Sequence, residues 1–162
     1  MLELETKWLA TMPWQSVVTI NQELCRKDEQ PHESNPPGYE AAHRLWDAAA
    51  EKSMKLHDVL DLFRQVHKLA PFKFFNGNTV AAVARTMMDK VLEPLPSFQA
   101  QMARSTVSHY VVGAIKASEL EAVLGHVGQA LRNLPPASPG SPPPRNGDKL
   151  PCHALVPDLT TG

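Results

Sequence analysis

Clustered cations, long apolar runs and a cysteine framework are all missing from this sequence. Its two cysteines, Cys25 and Cys152, stand in regions of different composition, and two thiols so placed build no disulfide scaffold. A reducing compartment is therefore expected. No apolar run approaches the ~18 residues that a membrane span requires. The longest basic run is the pair Arg26-Lys27, and the net charge is −1. Nucleic acids and anionic membranes are held by clustered cations, so neither is expected as the main partner. The opening residues, with Glu3, Glu5 and Lys7, have neither the basic start nor the apolar segment of a signal peptide. Asn-x-Ser/Thr acceptors are absent, and the final Leu159-Thr-Thr-Gly162 carries no lipidation signal. The expected setting is the cytoplasm, the nucleus or the cytoskeleton.

Chemical signatures are equally sparse. There is no phosphate-cradling glycine loop, zincin motif, nucleophile elbow or paired CxxC site. The nearest approach is two His/Asp pairs at helical spacing, His43 with Asp47 and His57 with Asp61. Fourteen positions apart on one helix, they would share a face yet lie roughly 21 Å from each other, too far for one metal or catalytic centre. Each pair alone offers two ligands where a site needs three or four, so weak ion pairing on a solvated face is expected. His67 follows that face loosely. His109 and His126, on different helices beside apolar stripes, are the only histidines placed to meet in the interior. Cys25 would act as a nucleophile only beside a base that lowers its pKa, and no such base is evident. Met87, Met88 and Met102, at helical spacing, read as core filling more readily than as a ligand groove. No catalytic, cofactor-binding or metal-ligating residue is expected, and no cofactor.

What the sequence does contain is helical periodicity. The strongest stretch is Tyr39 to Leu69, with apolar residues at Ala42, Leu45, Ala49, Leu56, Val59, Phe63, Val66 and Ala70 and a single vacancy at Lys52. The spacing predicts one continuous rod roughly 46 Å long, its apolar side roofed by other helices. Around it a short helix over residues 2–10 and a helix from Trp14 to about Arg26, with Pro13 in its first turn, are expected. Residues 27–38 read as a loop. Pro71 ends the rod, and Phe72, Phe74 and Phe75 plug one end of the core. Further helices are predicted over 79–93 with Asn78 as cap, and over 98–116 with Ser97 as cap. The last spans about 118–134 with a Ser118/Glu121 capping box. The β-branched piece Thr106–Val112 also fits a strand, but no partner strand exists, and helix is preferred. Gly113 marks a kink in that helix. The fold expected is all-α, an up-and-down bundle of four to six helices over residues 1–134.

Residues 135–162 form a separate compositional region holding eight of the chain's 15 prolines. Too little apolar surface is present there to order it, and a disordered Pro-rich tail is expected. Pro136-x-x-Pro139 and Pro139-x-x-Pro142 match the minimal spacing of SH3 ligands, although Arg145 is out of register as the flanking cation. Ser138 and Ser141, each followed by proline, are candidate phosphorylation sites. Such matches are common in proline-rich tails, so an unstructured linker is the plainer expectation.

Several strings, taken with the helix order, carry a resemblance. They are Glu23-Leu-Cys25-Arg26, Val59-Leu60-Asp61, Val107-Ser-His109 and the final apolar helix, spanning about Thr19 to Leu134. In these the chain resembles the sperm acrosome-associated protein 9 family, small helical bundles bound to the luminal face of tubulin in cilia and flagella. The resemblance implies a non-enzymatic structural protein of a microtubule-based assembly, with tubulin or axonemal proteins as partners. The alternative is a cytosolic adaptor whose helical domain docks one partner while the proline-rich tail recruits an SH3 or WW domain.

Overall fold

Proline decides where the first two helices begin. The computed structural model describes residues 5–134. In it Pro13 directly precedes helix α1 (Trp14–Lys27), and Pro36 and Pro37 occupy the first turn of α2 (Pro36–Ala50). A first-turn proline sacrifices no intrahelical hydrogen bond and arrives with its φ already helical. For that reason α2 claims residues 36–38, which the composition reads as loop. Arg26 and Lys27 sit in the last turn of α1, where the helix dipole favours cations.

The predicted rod is not continuous. Helix α2 ends at Ala50, and a two-residue strand β2 (Met54–Lys55) separates it from α3 (Leu56–Leu69). The break falls on Glu51-Lys52-Ser53, where the apolar stripe lapses and all three residues are exposed. Strand β2 pairs antiparallel with β1 (Glu5–Thr6), Glu5 opposite Lys55 and Thr6 opposite Met54. The Trp8 indole N–H donates to the Met54 carbonyl at 2.8 Å, and Lys7 pairs with Glu51 at 2.9 Å. The N-terminal arm is therefore not the expected helix. It is a strand followed by turns that bury Trp8, Leu9 and Met12. The interruption lets α3 fold back on α2. Trp46 stacks on Phe63 with ring centroids 5.3 Å apart and planes 9° from parallel. On a straight rod those residues would lie about 25 Å apart. The stripe itself is covered: Ala42, Ala49, Leu56, Val59, Phe63 and Val66 are all buried.

Pro71 stops α3 as expected, with Ala70 in the left-handed region at φ 47°. Helix α4 (Asn76–Leu92) starts three residues earlier than predicted, and Asn78 is not its cap. Asn76 takes that part of the chain in hand, its Oδ1 accepting from the Phe72 amide at 2.9 Å and its Nδ2 donating to the Phe72 carbonyl at 2.6 Å. Of the three neighbouring rings only Phe72 is buried; Phe74 is exposed and Phe75 half-buried. Helix α5 (Ser97–Val111) includes the β-branched run and stops before Gly113, whose φ of 82° turns the chain instead of kinking a longer helix. Ser97 is its first residue, with Pro96 at the cap position. The α6 box also shifts: Glu119 accepts from the Lys116 amide at 2.9 Å ahead of α6 (Ala117–Arg132).

The result is the expected all-α bundle, with six helices and a two-stranded ribbon among the described residues. Helix α4 packs against α1, α3 and α5, while α6 packs against α5 and α2 against α3. Among the described residues, Asn21 and Thr79 are the polar side chains buried in the core. Asn21 Nδ2 donates to the Phe74 carbonyl at 2.8 Å and to Thr79 Oγ1 at 2.9 Å, and Thr79 donates on to the Phe75 carbonyl. This buried chain fixes the start of α4 against α1. The Pro136, Pro139 and Pro142 spacing, the Ser138 and Ser141 sites and the expected disordered tail lie outside the described residues.

Candidate functional site

Both His/Asp pairs form at helical spacing, His43 to Asp47 at 3.2 Å and His57 to Asp61 at 3.3 Å. The break in the rod places them on separate helices, so they share no common face. The His43 ring stacks on Trp14 at 5.5 Å, within a group that includes Tyr39 and Phe72. The second pair belongs to a larger cluster. The Tyr110 hydroxyl, from α5, donates to Asp61 Oδ1 at 2.6 Å, and the Arg64 guanidinium covers the Tyr110 ring at 4.5 Å. Burial, reinforced by the bond to Asp61, holds the Tyr110 hydroxyl above its usual pKa. Asp61, Tyr110, Arg64 and His57 Nε2 all face partners within the molecule, which makes the cluster a clasp between α3 and α5, although His57 Nδ1 is buried with no hydrogen-bond partner among the described residues.

His109 and His126 do not meet. Both are exposed, and they line separate concavities with no residue in common. Cys25 is buried, 3.6 Å from Asn21 Oδ1, and burial pushes its thiol pKa up. A thiol held protonated is a poor nucleophile. Met87 and Met88 are core residues, whereas Met102 is partly exposed beside His126. Among the described residues no three His, Cys, Asp or Glu side chains gather as a metal site would need. Among them, too, no helix is long and apolar enough to cross a membrane.

Open features lie along α1 and α4. Two adjoining concavities of about 510 and 440 Å³ are both lined by Thr11, Met12 and Thr86, and together they are termed the trough. The N-terminal arm makes one wall, α1 the other, and the second half of α4 the base. Its apolar surface comes from Trp8, Met12, Ile20, Met87 and Val91. Hydroxyls of Thr6, Thr11, Ser16, Thr19 and Thr86 are spread along it, with Lys7 and Lys90 at one end. A cleft of about 440 Å³ lies toward the other end of both helices, where α5 joins them.

None of these features was visible as a motif. The trough depends on the arm lying across α1 and α4, and the clasp depends on Tyr110 meeting Asp61 across 49 positions of sequence. Arg64 alone left a trace, since it falls on the same turn of α3 as Asp61. Comparison with protein-family models, with curated proteins and with solved structures finds no match for this chain.

Proposed function

We propose that this chain is a non-enzymatic binding protein whose helical bundle docks an extended partner segment in the trough between the N-terminal arm, α1 and α4. The observation that carries this is the sharing of Thr11, Met12 and Thr86 by two adjoining concavities. Met12 on the arm and Met87 in the base suit an occupant whose side chains vary, because the thioether chain repacks at little cost. Hydroxyls of Thr6, Thr11 and Ser16 suit the backbone groups of an extended segment, while those of Thr19 and Thr86 already donate to the Gln15 and Ala82 carbonyls and are left as acceptors.

The finer assignment, a scaffold of ciliary or flagellar microtubules with tubulin or axonemal partners, is supported by the resemblance at residues 23–26, 59–61 and 107–109. It draws on the packed bundle and no longer on a rod, since α2 and α3 double back. Under this reading the site of action is the axoneme. The adaptor alternative would act through Pro136, Pro139 and Pro142.

Microtubule co-sedimentation and affinity capture from ciliated cells, run on three forms, separate these. The forms are the full chain, the chain lacking residues 135–162, and Thr86→Arg. Thr86 is exposed and lies where the two concavities join, so arginine there blocks the trough without entering the core. The scaffold reading expects tubulin with the full and shortened chains and its loss with Thr86→Arg. Unchanged capture by Thr86→Arg would sink the trough as docking site. Loss of capture only on removing residues 135–162 would move the function to the proline-rich segment.

A further inference from the structure

The cleft at the junction of α1, α4 and α5 differs in chemistry from the trough. Its apolar surface comes from Leu24, Ala81 and Val112, its one arginine is Arg85, and the His109 ring stands in the lining with its Nδ1 3.5 Å from Ser105 Oγ. No carboxylate lines it, and neither Arg85 nor His109 takes part in any ion pair among the described residues. Asp89, one turn along α4 from Arg85, is engaged by Arg104 at 2.8 Å. Arg85 therefore presents its donors to solvent at the edge of an apolar hollow. Gly77 deepens the wall: a Cβ there would lie 3.4 Å from both His67 Nε2 and Val112 Cγ1.

We propose that this cleft binds an acidic side chain of a partner peptide. Its carboxylate is held by Arg85 and His109, and an adjoining apolar side chain rests on Leu24, Ala81 and Val112. A guanidinium meets a carboxylate with two parallel hydrogen bonds, which fixes orientation as well as charge. The apolar floor chooses between sources of negative charge. A free anion would leave it bare, whereas a peptide with leucine beside glutamate covers it. Nucleic acid is disfavoured by the absence of any basic run longer than two residues. The cleft is independent of the trough and does not rest on the docking proposed there.

The test is a titration of the isotope-labelled full chain with a short peptide carrying Leu-Glu-Glu-Leu, followed by NMR. A Leu-Gln-Gln-Leu peptide and inorganic phosphate serve as comparisons. Shifts should concentrate on the amides of Gly77 and Asn78, the Arg85 Nε–H and the His109 ring, and should be absent with the glutamine peptide. Arg85→Glu should weaken binding by about tenfold or more, and Arg85→Lys should retain part of it. Arg85 is exposed, so its variants should melt with the parent; if Arg85→Glu does not fold, His109→Gln supplies the same comparison. Equal shifts with both peptides, or shifts confined to other parts of the surface, would overturn the proposal. So would phosphate producing the same shifts at the same concentration, because the site would then be a general anion site.

Discussion

The fold-back of α3 on α2 can be tested without further coordinates, because it brings Trp46 and Phe63 into contact where a straight helix would keep them far out of reach. Both side chains are almost wholly buried, at 1 % and 0 % exposure. Replacing either with leucine removes a ring from dense packing at about 1–3 kcal/mol. Trp46→Leu also deprives the Met12 carbonyl of its indole donor, at 2.9 Å, which adds about 1 kcal/mol. A stacked aromatic pair contributes roughly 0.5–1.5 kcal/mol beyond the area it buries. That contribution is lost once in either single variant and cannot be lost twice. The double variant should therefore be more stable than the summed single losses predict, by about 0.5–1.5 kcal/mol. The combined loss, about 3.5–8.5 kcal/mol, is comparable with the ~5–15 kcal/mol stability of a typical domain, so the double variant is measured at the lowest denaturant concentrations. Urea unfolding of all four proteins, followed by far-UV circular dichroism, measures the cycle. Additivity to within about 0.3 kcal/mol would show that the rings do not touch, and the hairpin would be wrong.

Three further outcomes follow from local geometry. Gly38→Ala puts a Cβ 2.0 Å from the Leu69 carbonyl oxygen, so α2 must shift away from the end of α3. A loss of about 1–3 kcal/mol is expected, with NMR shifts reaching Asn35 and Ala70, which are hydrogen-bonded there. Asn21→Ala removes the donor to the part-buried Phe74 carbonyl and the buried Thr79 hydroxyl and should cost about 2 kcal/mol, seen as a lower Tm. Asn21→Asp should cost more, because it buries an unpaired charge. Cys25 and Tyr110 both hold their protons above the ordinary values of 9.0 and 10.0, chiefly through burial. The unfolded chain releases those protons first, so their contribution is complete below pH 9.0 and declines as pH rises above it. Urea midpoints should hold from neutrality to about pH 9.0 and fall above it, less steeply in Cys25→Ala and Tyr110→Phe. A midpoint independent of alkaline pH would contradict the burial of these groups.

Why the rod was legible as helix but not as two helices is a matter of phase. From Ala49 to Leu56 is seven positions, close to two helical turns, so the three-and-four rhythm resumes after the break as if nothing had happened. Periodicity cannot separate a helix that pauses for two turns from one that continues. Only the polar Glu51-Lys52-Ser53, with Lys52 standing in the stripe, hinted at the interruption. A two-residue strand is too short to show any alternation, and nothing in Glu5-Thr6 announces that it will pair with Met54-Lys55. Proline was read correctly at Pro71, where it forbids helix in the residue before it. It was misread at Pro36-Pro37, where it begins one, because the same residue punctuates both ends. The His/Asp pairs were legible for the opposite reason to the clasp and the trough: spacing of four on a helix settles contact by itself. The Tyr110–Asp61 contact, and the placing of Met12 and Thr86 on one concavity, are set by how the arm and the helices stack. That stacking follows from the Trp46–Phe63 hairpin and the Asn21–Thr79 bonds, and no local pattern encodes either. The surfaces most able to bind a partner thus lie where contact is set by tertiary closure, and there the pattern of one helix is silent.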